Sequence, residues 1–228
     1  MTDFASSRFK RIPEPELMLE ENQALAYARA NFDDAHSTYP RLFHERFPEA
    51  PSKAQVLDLG CGPCDVTRRF ATLYRGWTFD AVDGSPAMLE QAKTTLKRHR
   101  LQHRVNLVQA LLPAVKLPHK RYDVILASSL LHHLHDPAAL WTTVRRRIRS
   151  GTIVFVPDLR RPATRRDARR LVDRYAANEP DVLRRDFHNS LLAAFTPQEV
   201  ALQLTRSSLS KLAVEPLGDR HLLVLGRL

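Results

Sequence analysis

From Gln55 onward, short apolar runs alternate with stretches in which apolar side chains return every three or four positions. The runs 55–59, 78–82, 105–109, 122–127 and 152–156 have the length and composition of buried strands. Between them, residues 65–74, 86–99 and 137–148 carry helical periodicity. Strands buried on both faces and joined by helices imply a parallel sheet covered on each side, an α/β fold of the doubly wound kind.

The flanking regions read differently. Residues 16–30 are rich in strong helix formers, with Pro13 and Pro15 placed where a helix begins. A second helix is expected over 36–46, ended by Phe47-Pro48, and Pro48 and Pro51 mark a linker. Beyond Asp158 an Arg-rich helical stretch covers 163–177, followed by a less regular piece through Phe195. Thr196-Pro197-Gln198-Glu199 is a helix start: Thr as N-cap, Pro at the first position, Glu three residues on. Residues 211–215 and 221–226, joined by Pro216-Leu217-Gly218-Asp219, read as a terminal antiparallel hairpin. The expected organisation is one compact domain: a helical cap (1–50), a core (51–158), a helical lid insertion (159–195) and the end of the core sheet (196–228).

Composition narrows the class. The 228 residues are 43% hydrophobic and 26% charged, as in an ordinary globular chain. No run of about 18 apolar residues is present, and the first fifteen residues carry no secretory-type apolar core. Two cysteines make no disulfide framework, so a cytoplasmic location, with no membrane partner, is the expectation. The formal charge is +10 and uneven: residues 1–50 net −3, whereas 141–190 hold thirteen Arg and six acids. Such a face draws anions, nucleic acid included. Arg outnumbers Lys 28 to 7 throughout, however, and the basic stretch holds only Trp141, Phe155, Tyr175 and Phe187 to stack bases. Nucleic acid is therefore a possible partner but not the favoured one.

Val56-Leu57-Asp58-Leu59-Gly60-Cys61-Gly62-Pro63 is a strand running into a glycine turn that opens a helix. Gly60 and Gly62 let the backbone turn and approach a ligand closely, and the helix presents its amide end to an anion. Asp83 ends the next strand, where an acid accepts hydrogen bonds from ribose hydroxyls. A dinucleotide and S-adenosylmethionine both fit this layout. The dinucleotide fingerprint would need a third glycine at Asp65, and it does not need the acid Asp58 ahead of the turn.

Together with Ala81-Val82-Asp83-Gly84-Ser85-Pro86-Ala87-Met88-Leu89 and the stretch from Tyr122 to Pro137, which contains Leu131-His132-His133-Leu134, that turn resembles the class I S-adenosylmethionine-dependent methyltransferases. The resemblance spans about residues 51–228. It implies a Rossmann-like sheet of seven strands with the last antiparallel, and S-adenosylmethionine as cofactor, leaving as S-adenosylhomocysteine, with no metal. It implies that the turn from Gly60 to Gly62 lines the methionine part, that Asp83 holds the ribose and that Met88 packs near the adenine. Asp58, Gly60, Cys61, Gly62, Asp83, Gly84, Met88, Ala110, Leu111 and Ser128 make up the expected donor site. One departure is Leu111, where the family often has an acid after strand three.

Cys61-Gly62-Pro63-Cys64 matches a thioredoxin-type sequence at a helix N-terminus, where a low thiol pKa is expected. The turn already needs Gly62, and the chain is about twice thioredoxin length, so two small residues beside the cofactor are the better reading. For the chemistry, the resemblance puts a base and its partner just past strands four and five. His132 is first candidate, His133 second, with Asp158 as orienting acid. His135 belongs to a solvated helix entrance, with Asp136 as N-cap. Substrate contacts are expected from Tyr27, Arg160, Arg161, Tyr175, Asp186 and Ser190, with the two arginines favouring an anionic or zwitterionic acceptor. The reading is methyl transfer to a small molecule by a monomer or homodimer. The alternatives are an RNA methyltransferase using the Arg-rich face, and a cofactor-binding protein without catalysis.

Overall fold

The computed structural model describes residues 9–29 and 36–228. Seven strands form one sheet: β1 (Lys53–Leu59), β2 (Gly76–Asp83), β3 (Val105–Gln109), β4 (Val124–Leu126), β5 (Ile153–Leu159), β6 (Ala213–Leu217) and β7 (His221–Arg227). Their order is β3-β2-β1-β4-β5-β7-β6. The first five are parallel, and β7 runs antiparallel to both β5 and β6. β5 is buried along its whole length, as expected of a strand with helices on both faces. Strand order reverses between β1 and β4, which opens a crevice at their carboxyl ends.

Two apolar layers sandwich the sheet. On one face lie α2 (Thr38–Arg46), α3 (Asp65–Leu73) and α4 (Pro86–Arg98), bringing Phe43, Phe70 and Leu89 against Val56, Phe79 and Phe155. On the other lie α5 (Ala138–Arg147) and α8 (Pro197–Arg206), bringing Trp141 and Leu204 against Leu57, Ile125 and Val156. The expected capping box opens α8: the Thr196 side chain accepts from Glu199 N, and the Glu199 carboxylate from Thr196 N. A third, smaller apolar cluster joins α6 (Arg165–Tyr175) to α7 (Asp181–Ala193) through Val172, Leu191 and Leu192.

Two expectations need correction. The helix expected from residue 16 begins five residues later, as α1 (Glu21–Arg29), and its expected end at Ala30 lies outside the described residues. Residues 16–20 are non-helical because their polar groups serve other partners: Glu16 accepts from His135 N, and Met18 O accepts from the Ser85 hydroxyl. The piece before Phe195, expected to be irregular, contains the thirteen-residue α7. Its apolar positions, divided between the small cluster and the site beneath, mask the single-face periodicity.

Candidate active site

The turn after β1 folds as the glycine pattern requires. Gly60 and Gly62 have φ of +70° and +50°. Gly60 N and Cys61 N both donate to Val82 O, at 2.8 and 2.9 Å. A Cβ on Gly60 would stand 2.7 Å from the Leu130 side chain, whereas one on Gly62 would meet nothing within 4 Å. Gly62 N and Ser85 N each donate to one Asp83 oxygen, both at 2.8 Å. Those oxygens keep lone pairs for other donors. Burial raises the Asp83 carboxyl above its ordinary range despite these bonds. Gly60, Gly62, Asp83, Met88, Ala110 and Ser128 line part of a cavity of about 690 Å³, the size of a small-molecule cofactor site.

A smaller cavity of about 150 Å³ lies beside it. Its wall combines Tyr39, Leu183 and Phe187 with the carboxylates of Glu179 and Asp186 and one guanidinium, Arg220, stacked 3.3 Å over the Tyr175 ring. Met18, Tyr27, His36, Ser129 and His133 line both cavities, so the two share a wall. Ser129 holds that wall in a left-handed conformation (φ 52°), a strain that side chains adopt only under constraint.

Against this wall stands a chain of titratable groups. His132, buried, has Nδ1 2.6 Å from Asp158 Oδ1. Asp158 is fixed in turn, accepting from Leu131 N and Leu159 N at 2.8 Å each. Burial works against charge on His132, but the Asp158 carboxylate outweighs it and holds the imidazole above its ordinary value. Asp158 is correspondingly held low by His132 against its own burial. Burial and the neighbouring His132 push His133 down to about 3, so its ring is neutral at physiological pH. Glu14 Oε1 lies 3.8 Å from His132 Nε2 and 3.2 Å from His133 Nδ1, and burial raises its carboxyl.

The family model described as a methyltransferase domain matches residues 57–154, the stretch that supplies the turn, Asp83 and both histidines. Residues 57–154 thus carry the sequence of a methyltransferase domain. It is 32% identical over 112 residues to a ubiquinone biosynthesis O-methyltransferase of Nitrosomonas europaea (48% of this chain, 46% of that protein). It is 36% identical over 125 residues to a trans-aconitate 2-methyltransferase of Methylobacterium radiotolerans (54% of this chain, 43% of that protein). The matched part thus spans less than half the length of these two relatives. A SAM-dependent methyltransferase from Aquifex aeolicus has the same fold at 14% identity, with a TM-score of 0.67 over 91% of this chain and 98% of that one.

Most of the expected site residues converge. Gly60, Cys61, Gly62, Asp83, Gly84, Met88, Ala110, Leu111 and Ser128 all line the larger cavity. Tyr27 lies on the common wall, and Tyr175, Asp186 and Ser190 line the smaller cavity. Asp58, Arg160 and Arg161 lie away from both cavities, and Cys61 departs from the low thiol pKa expected. Asp58 is buried and lines neither cavity: Thr67 Oγ1 donates to its Oδ2 at 2.6 Å, and burial pushes its carboxyl up to about 7. Arg161 is buried and paired with Glu199 at 2.5 Å, while Arg160 bonds to the carbonyls of Gly218 and Asp219; neither reaches a cavity described above. The Cys61 thiol is raised, not lowered, through its hydrogen bond with Cys64 and its burial.

The sequence reading missed Glu14, Arg11 and Arg220. Arg11 donates through Nε to Ala193 O and through Nη2 to His132 O and Leu134 O, and stacks 4.0 Å over Phe195. His135 is exposed at the helix entrance, as expected, and its Nε2 also bonds Glu14 O at 2.7 Å and its backbone N bonds Glu16. These contacts strap residues 11–18 across the carboxyl edge. No local pattern signals them, since each joins positions more than sixty residues apart.

Proposed function

We propose that this chain transfers a methyl group from S-adenosylmethionine, in the larger cavity, to a small acceptor in the smaller one. The common wall carries this reading: two cavities of unequal size meet at His133 and Ser129, with the His132–Asp158 pair beside the junction. The larger cavity suits the cofactor on two counts. Open space over Gly62 leaves its backbone free for close approach, and Asp83 retains acceptor capacity for hydroxyls. When bound, S-adenosylmethionine supplies an electrophilic methyl on a positively charged sulfur.

The chain's own part is positioning and proton handling. Asp158 accepts from Nδ1 and so turns the Nε2 lone pair of His132 outward, with its basicity raised. His132 is the candidate to take a proton from an acceptor hydroxyl or amine. A space of about 150 Å³ matches a benzene-sized body. Tyr39, Tyr175 and Phe187 offer that body apolar walls, while Arg220 on one hand and Glu179 and Asp186 on the other suit an acceptor that carries both an anionic and a cationic group. The trans-aconitate and ubiquinone-pathway relatives are named for small-molecule acceptors, which agrees with this choice.

Calorimetry with S-adenosylhomocysteine tests the donor half, and a silent titration overturns the proposal. Labelled S-adenosylmethionine incubated with cell extract tests the acceptor half. Label is expected in the small, nuclease-resistant fraction; label lost on nuclease treatment would favour RNA instead.

A further inference from the structure

We infer that Glu14, His132 and His133 form a binding site for a divalent cation of the Zn²⁺ type on the wall of the acceptor cavity. The inference rests on the methyltransferase reading only for its fourth ligand, an acceptor oxygen. Their candidate ligand atoms lie within 4.8 Å of one another. A tetrahedral centre with bonds of 2.0–2.2 Å sets its ligand atoms about 3.3–3.6 Å apart. The 3.2 and 3.8 Å separations from Glu14 Oε1 straddle that range.

The hydrogen inventory points the same way. His132 Nδ1 is committed to Asp158, which leaves a lone pair on Nε2. His133 Nδ1 is buried without a hydrogen-bond partner, 3.2 Å from Glu14 Oε1. Glu14 Oε1 is likewise buried without a hydrogen-bond partner, and its side chain is only 10% exposed. Its other oxygen accepts from Ser190 Oγ at 3.2 Å. A carboxylate oxygen and two ring nitrogens therefore converge, and 3.8 Å is too long for a hydrogen bond to bridge Glu14 and His132. A cation held among them would satisfy all three at once.

The surroundings match those of metal-bound histidines. The second nitrogen of such a ring ordinarily donates to a carboxylate, as His132 does to Asp158. Both histidines line the acceptor cavity, so a fourth position would open toward an acceptor oxygen, which the cation would make more acidic. A cation on Nε2 takes the lone pair through which His132 would otherwise accept a proton, so the two uses of this ring exclude each other.

Co²⁺, a spectroscopic stand-in for Zn²⁺, tests the site on the full chain. We expect a tetrahedral ligand-field band saturating at one equivalent, displaced by Zn²⁺ and lost in both Glu14→Gln and His133→Ala. Asp158→Asn should weaken Co²⁺ binding about 10–100-fold. No such band in the unmodified chain, or a thiolate charge-transfer band that disappears in Cys61→Ser, overturns the site. S-adenosylhomocysteine calorimetry on the same samples separates the two readings. Donor heat without the Co²⁺ band sinks the cation alone, and the band without donor heat sinks the methyltransferase reading alone.

Discussion

Gly60 and Gly62 share a positive φ but answer to different constraints, and the difference is measurable. An alanine at Gly60 collides with Leu130, whereas one at Gly62 meets no protein atom. Gly62→Ala should therefore cost only about 1–2 kcal/mol of stability, the strain of a left-handed residue. It should weaken S-adenosylhomocysteine binding, by calorimetry, more than that loss accounts for. Asp58 supplies a second test at this scale. Its folded carboxyl stands at about 7 through burial, above the ordinary 3.8, so the folded state holds a proton that the unfolded state releases. That contribution is full below pH 4 and lost as pH rises toward 7. Thermal melts should show the unmodified chain losing ground to Asp58→Asn between pH 4 and 7; parallel curves would refute it. His132→Ala should lower turnover about 10²–10⁴-fold with donor affinity little changed.

At the scale of elements, what the sequence revealed and what it hid divide by range. The strand–helix alternation, the turn at Gly60 to Gly62 and the box at Thr196 are written in neighbouring residues, and each formed where its pattern lay. α7 was hidden because its buried residues answer to two surroundings, Val172 and Leu159 on one side and the smaller cavity on the other. Arg160 and Arg161 misled because their nearness to Asp158 in sequence says nothing of direction, and the guanidinium groups turn to Gly218, Asp219 and Glu199. Phe43 shows how an element is fastened: its ring lies 5.2–5.7 Å from those of Phe47, Phe70, Tyr74, Trp77 and Phe155. Phe43→Ala should cost about 3–5 kcal/mol in denaturant unfolding, since the ring is fully buried among these five others.

Across the whole molecule, opposite charges lie in different stretches of the chain, and the fold brings some of them together. The acidic leading segment supplies Glu14 and Glu16 to an edge otherwise built from the core, and Arg11 holds that segment in place. Arg11→Ala should cost about 1.5–3 kcal/mol, the worth of a hydrogen bond to a charged group. Limited proteolysis should then cut within residues 9–20 at concentrations of protease that spare the unmodified chain. Among the described residues no helix is long and apolar enough to cross a membrane.

The strap also sets an order of assembly. Arg11 and Ile12 bond to the carbonyls of Ala193 and Leu192, which leave the ribosome some 180 residues later. Glu14 therefore waits through most of translation before the backbone that fastens its segment has been made, and this corner of the fold closes only after α7 has emerged.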